Sequence, residues 1–166
     1  VSVLSLGLAE RVGYGRDDVR AVGKAALLHD VGKTLVPEEI LKKPGTLTPE
    51  EWTLIKRHPI DGARILFRSR DGLSVAAVVA YEHHMTWDGG GYPERRFPRE
   101  IHPASALVQV CDVYDALRTR RPFRGPWPED RVLAHLRAGA GEAFSSEMVS
   151  VFLAMMDGLR EESEAD

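Results

Sequence analysis

The sequence has 166 residues, 43% hydrophobic and 28% charged, with a formal net charge of −3; this fits one globular domain and argues against nonspecific nucleic-acid binding, so an anionic ligand would have to meet a local positive site. A single cysteine, Cys111, excludes an internal disulfide and fits a reducing compartment. No apolar run reaches the length of a membrane span and no signal peptide is visible, so a cytoplasmic location is expected.

Nearly every predicted element is a helix. Residues 1–12 carry apolar positions at helical spacing, and Gly13 is a stop signal. This helix opens without a cap or an initiator methionine, so the domain is expected to be cut from a longer protein. Residues 17–30 form the next helix, with Val19, Val22, Ala26 and His29 along one face and Gly32 ending it. A short helical turn over 37–41 and a turn at Lys43-Pro44-Gly45 follow. Thr48 then caps a helix, Pro49 takes its first position and Glu51 completes a capping box. That helix runs to about Phe67, with a kink expected at Pro59.

Residues 73–84 are strongly apolar and read as helix, since no partner strand is evident. A loop rich in Gly and Pro covers 86–100. The helix over 103–117 places Leu107, Val110, Tyr114 and Leu117 on one face, and residues 128–138 and 146–159 close the fold. The domain is assigned to 1–160, with a frayed acidic tail over 161–166. There is no repeat, low-complexity block or second domain.

Four separated groups carry metal-ligand chemistry. His29-Asp30 ends an apolar helix, where a buried Asp is costly unless paired or metal-bound; alone, the dipeptide reads equally well as a helix-terminal hydrogen-bonded pair. His58 lies by a helix break, His83-His84 closes an apolar helix, and Asp112 sits among Val110, Cys111 and Val113. Imidazoles with carboxylates suit first-row divalent metals such as iron, manganese or zinc. Neighbours on a helix point about 100° apart, so one member of each pair could reach one metal and its neighbour a second. Asp30 is the candidate bridging carboxylate, and two bridged metals can activate water for in-line displacement at a phosphoryl group.

Two further segments suit an anionic, aromatic ligand. In Trp87-Asp88-Gly89-Gly90-Gly91-Tyr92-Pro93 the glycines permit close backbone approach, and Trp87 and Tyr92 could stack on a base; a plain surface turn is the alternative. Arg118, Arg120, Arg121 and Arg124 follow the Asp112 helix and could clamp phosphates, though Arg118 and Arg120 fit equally well as solvated residues that complement the helix dipole. Lys33 is another candidate phosphate contact, whereas Cys111 reads as a small core residue.

With these residues in hand, the chain resembles the HD-GYP branch of the HD phosphohydrolases over almost its full length. The match runs through His29-Asp30-Val31-Gly32-Lys33, the stretch from Leu41-Lys42-Lys43-Pro44-Gly45 to Thr48-Pro49-Glu50-Glu51-Trp52, His58-Pro59 and His83-His84. It continues through Asp88-Gly89-Gly90-Gly91-Tyr92-Pro93, Asp112-Val113-Tyr114-Asp115-Ala116-Leu117 and Arg121-Pro122-Phe123-Arg124. The resemblance implies an all-α HD-domain helical bundle with a long GYP loop, holding two or three divalent metal ions, iron or manganese. His29, Asp30, His58, His83, His84 and Asp112 fall on the family's metal-ligand positions. Lys33 matches a lysine near the scissile phosphate, and Tyr92, Arg121 and Arg124 match positions that contact the cyclic dinucleotide; Asp30 and Lys33 are the implied catalytic residues.

The implied reaction is hydrolysis of cyclic di-GMP to linear pGpG, GMP or both, under control of a fused sensory or receiver domain. The chain departs from the family at Met85, usually Glu, at Ala106, usually Arg, and at Arg120, usually acidic. A further family ligand, a His upstream of the segment aligned with Val1, would lie outside this chain. Two other readings remain: a degenerate module that binds cyclic di-GMP or a protein partner, and a hydrolase of another cyclic dinucleotide or nucleotide.

Overall fold

The computed structural model describes residues 1–69, 73–94, 100–120 and 125–165. Among them there are helices, turns and isolated bridges, with no strand. Helix α1 (Ser2–Val12) ends where Gly13, at φ 92°, returns its N–H to the carbonyls of Ala9 and Glu10. Helix α2 (Arg16–Leu28) carries Asp17 and Asp18 in its first turn, where the helix dipole favours them, and packs against α1. It stops at His29, one position before Asp30; Gly32 lies in a separate 3₁₀ turn, Val31–Leu35.

Helix α3 (Glu38–Leu41) is a single turn. In place of one kinked helix over 49–67 there are two, α4 (Pro49–Ile55) and α5 (His58–Phe67). Proline breaks helix interiors but is tolerated in a first turn, and Pro59 sits in the first turn of α5. Thr48 caps α4 through the reciprocal capping box with Glu51. Helix α6 (Ser74–Glu82) packs on α5 and α2.

The centre of the core is α7 (Pro103–Arg118), in which every residue from 104 to 111 is buried. It packs against α1, α2, α6, α8 (Glu129–Ala138) and α9 (Ser146–Ala165). Leu8, Val22, Val79, Leu136 and Phe152, from five of those helices, are all sealed from solvent. Burying such side chains contributes about 1.5–3 kcal/mol each. The acidic stretch that the sequence marks as a frayed tail instead continues α9 to Ala165. Residues 159–165 contain neither Gly nor Pro, and Arg160 ties the helix to α8 through Glu129 at 2.9 Å and Asp130 at 2.7 Å. No helix among the described residues is long and apolar enough to cross a membrane.

Candidate metal centre

The site lies where helix ends converge on α7. His29 caps the C-terminus of α2, His58 is the first residue of α5, and His83 and His84 follow the last turn of α6. Asp30 enters from the 3₁₀ turn and Asp112 from the middle of α7. The approach depends on Gly32. A Cβ there would lie 2.0 Å from the His58 carbonyl oxygen and 2.5 Å from the Gly62 nitrogen. Only a bare backbone brings the turn holding Asp30 this close to the helix holding His58.

Three imidazoles are oriented by their own backbone. The Nδ1 atoms of His29, His58 and His83 lie 2.7, 2.7 and 2.9 Å from the carbonyls of Ala26, Ile55 and Ala80, each three residues earlier. A carbonyl only accepts, so Nδ1 carries the proton and Nε2 points a lone pair into the site. The His58 and His83 Nε2 atoms are 3.2 Å apart. They face Asp30 Oδ1 at 3.2 and 3.6 Å. On the other side, His29 Nε2 stands 3.5 Å from Asp30 Oδ2 and 3.4 Å from Asp112 Oδ1. The two oxygens of Asp30 thus face two different donor groups.

Lone pairs and carboxylates turned on one another repel unless something positive lies between them. His29 Nε2 and Asp30 Oδ1 are both buried without a hydrogen-bond partner, and such orphans call for an explanation, an ion among them. Asp30, His58, His83 and His84 each offer a ligand atom within 4.8 Å of the others. This nitrogen and oxygen donor set fits a first-row divalent cation, with the backbone carbonyls as the partners that fix the ring tautomers.

Charge states agree with that assignment. Burial pushes His84 down to about 3 and lowers His83, so both are neutral imidazoles at neutral pH. Burial opposes ionisation of Asp30, but its polar neighbours, His58 and His83 foremost, with His29 and Lys33, outweigh it and hold the carboxyl below the usual range. Asp112 is lowered against the same burial by His29. His29 moves upward: burial opposes the charged form, and Asp112 overrides it.

His83 and His84 do not divide between two groups as helical spacing predicts. The helix ends at Glu82, and their rings lie 4.1 Å apart, both beside His58. Lys33 reaches back to Asp30 Oδ2 at 2.5 Å. Tyr92 stacks on His84, with centroids 4.6 Å apart and planes at 26°. Its loop folds back so that Tyr92 N–H donates to the His84 carbonyl at 3.1 Å. Gly91, at φ 74°, leaves no room for a Cβ, which would sit 2.2 Å from that same oxygen. Trp87 stands apart from this stack; it is partly exposed, and its N–H donates to Ala143. Arg121 and Arg124 lie outside the described residues. Met85 and Ala106 are core residues, 2% and 1% exposed, and Arg120 is exposed.

From the cluster a cleft of about 660 Å³ opens past Lys33, Tyr92 and Ala116. Its far wall, Ile40, Leu41, Lys43, Leu47, Trp52 and Ile55, is not apparent from sequence. The available signal was apolar residues on a helix, α4, whose neighbours give it no core to join.

The sequence model of a family described as HD domain matches residues 1–148. The chain is 41% identical over 154 residues to a cyclic di-GMP phosphodiesterase of Thermotoga maritima, covering 92% of this chain and 42% of that protein. It is 39% identical to the cyclic di-GMP phosphodiesterase response regulator RpfG of Xanthomonas campestris pv. campestris, covering 88% and 39%. It is 36% identical to the 3′3′-cGAMP-specific phosphodiesterase 2 of Vibrio cholerae, covering 90% and 29%. The chain therefore spans about two-fifths or less of the length of these relatives. Its fold is similar to the solved structure of an HDG"Y"P protein from Bdellovibrio bacteriovorus, with TM-score 0.72 and 23% identity over 94% of this chain and 50% of that one.

Proposed function

Since this chain belongs to the HD domain family and carries the HD-GYP motif set, we propose that it is the catalytic domain of a cytoplasmic, metal-dependent phosphodiesterase that hydrolyses cyclic di-GMP to pGpG or on to GMP. One observation carries the reading: imidazole lone pairs and two carboxylates converge, two of their atoms unpartnered, at the end of a cleft roomy enough for a nucleotide. The names of the relatives supply the substrate class.

His29, Asp30, His58, His83, His84 and Asp112 are the proposed ligands. Asp30, with one oxygen toward His58 and His83 and the other toward His29, supports two ions rather than one, with iron or manganese suited to the mixed donors. Bound ions would supply Lewis-acid activation of water and neutralise charge on the phosphoryl oxygens. The chain's own part is positioning. The Nδ1 contacts to backbone carbonyls turn the Nε2 atoms of His29, His58 and His83 toward the donor positions. Lys33 stands at the inner end of the cleft, where its ammonium can meet a phosphoryl oxygen. Tyr92, braced on His84, forms a flat wall beside the reacting group. Arg121 and Arg124 are the proposed clamps on the remaining phosphate charge. The greater length of the relatives fits a domain that works beside a sensory or receiver domain.

The test is hydrolysis of cyclic di-GMP and of 3′3′-cGAMP by protein loaded with Mn²⁺ or Fe²⁺. Metal-dependent turnover, faster on cyclic di-GMP, is expected. Tight binding of cyclic di-GMP by metal-loaded protein with no cleavage would favour the binding-module reading instead.

A further inference from the structure

The far wall of the cleft is built from a part of the chain that contributes nothing to the core. Helix α4 has no buried residue, yet it carries Trp52, Leu54 and Ile55. Trp52 lines the cleft and remains 45% exposed. An indole costs free energy when left in water, and burial in the fold is its usual relief. Here the protein offers it only the cleft.

Lys56 sits one turn further along the same helix face. Its Nζ is 5.8 Å from the Trp52 ring and 5.7 Å from the Tyr92 ring, within cation–π reach of both. It therefore stands between the ring at the metal centre and the ring on the far wall. Two lysines, Lys33 and Lys43, line this cleft, and Lys56 stands against two rings that line it, Trp52 and Tyr92. Lys33 is engaged by Asp30, and Lys43 by Glu51 at 2.7 Å. Lys56 has no carboxylate partner among the described residues, only the two aromatic rings. A cation without a counter-ion beside an unburied indole suits a ligand that brings both an anionic group and a flat ring.

Resting on the functional reading above, we propose that Trp52 and Lys56 form a distal subsite for the second nucleotide of the cyclic dinucleotide. Lys56 meets the phosphodiester that is not being cut, and the base of that nucleotide stacks on Trp52. The cleft then reads as two halves. Asp30, His58, His84 and Lys33 form the half that faces the scissile phosphate. Trp52, Leu47 and Ile55, with Lys56 at the rim, form the half that measures whether a second nucleotide is present. A substrate with one small phosphodiester and no second base would use only the first half.

The test compares two substrates on Mn²⁺-loaded protein: cyclic di-GMP, and bis(p-nitrophenyl) phosphate, which reports on the metal centre alone. Trp52→Ala and Lys56→Gln are each expected to raise KM for cyclic di-GMP about tenfold, equivalent to about 1.4 kcal/mol, as expected for a lost stack or charged contact. Turnover of bis(p-nitrophenyl) phosphate, metal content and kcat for cyclic di-GMP should stay within about twofold. Trp52→Phe and Lys56→Arg should restore most of the lost affinity, since each keeps the chemistry claimed for it. An unchanged KM in both disruptive variants would overturn the subsite while leaving the phosphodiesterase reading intact. Equal losses on both substrates would overturn it too, by showing that α4 merely supports the metal centre. Wild-type protein that cuts bis(p-nitrophenyl) phosphate but no cyclic dinucleotide would overturn the functional reading, and the subsite with it.

Discussion

Residues 104–111 of α7 are buried without interruption, whereas not one residue from 33 to 57 is buried. Helix α7 and the second stretch face each other across the same cleft, with Asp112 and Ala116, just beyond the buried run, on one side and Lys43, Leu47 and Trp52 on the other. The chemistry stands on the packed side: His58 and His83 are 0% and 2% exposed. The far wall is held by short-range devices instead, a capping box and the Lys43–Glu51 pair. A metal centre needs donors fixed to within fractions of an ångström, which a close-packed core provides. A wall that receives a bulky ligand must give way to admit it, and segments with few buried contacts open at low free-energy cost. The division predicts that substitutions on the packed side abolish function or stability, and that those on the wall alter only local order and affinity.

The strongest way to break that division is Asp30→Ala. Asp30 alone faces both donor groups, so its removal should abolish metal binding and lower kcat at least about a thousandfold, about 4 kcal/mol. The fold should persist, because Asp30 packs no core surface. Metal analysis, turnover and far-UV circular dichroism on one preparation check this; retained metal and activity would remove Asp30 from the centre.

Gly32→Ala comes next. Its Cβ would overlap the His58 carbonyl, so the 3₁₀ turn and α5 must move apart. Overpacking of this kind typically costs 1–3 kcal/mol, and contact with backbone places this site near about 3. Denaturant unfolding measures it. A loss below about 0.5 kcal/mol would mean the close approach is not structurally required, and His58 would not depend on it.

How much of this was legible from sequence follows the same division. The residues that cluster at the candidate site stood out in the sequence because a His or Asp flanked by apolar residues, as in Val110-Cys111-Asp112-Val113, has few reasons to be there. The helices were readable because α2 and α7 carry strong apolar faces and α4 a complete capping box. Features set by tertiary contact were not. The sharing of one group by His83 and His84 depends on where α6 ends. The continuation of α9 depends on Arg160 meeting α8. The separation of α4 from α5 turns on Pro59, whose effect reverses with its position in a helix. The wall was missed because its apolar residues look like any helix face until the fold leaves them uncovered.

A smaller effect comes from acid, within the packed side. In metal-free protein His84 is lowered to about 3 by burial, against an ordinary value of 6.5. The unfolded chain therefore takes up a proton below pH 6.5 that the folded chain refuses. The contribution of His84 to stability is complete above 6.5 and declines as pH falls toward 3. Between pH 7 and 5 this amounts to about 2 kcal/mol. Denaturant unfolding at the two pH values should show a smaller difference in His84→Gln than in wild type. An unchanged difference would mean the imidazole titrates normally.

The smallest effect belongs to the wall, and it separates local from global order. Glu51 does two things: its carboxylate accepts from the Thr48 N–H at 2.7 Å, and it holds Lys43 at 2.7 and 2.8 Å. Glu51→Gln keeps a side chain able to cap the helix but loses the ion pair. The pair lies at the surface, where solvent screens it, so its contribution is small. Because α4 buries nothing, that loss has no route into the core. Amide exchange in α4 and the turn before it should quicken several-fold. Exchange in α7, the global unfolding midpoint and metal content should not change. Faster exchange spreading into α7 would mean that wall and core unfold as one unit. Unchanged exchange in α4 would mean that the capping box holds the wall and the Lys43 pair adds nothing to it.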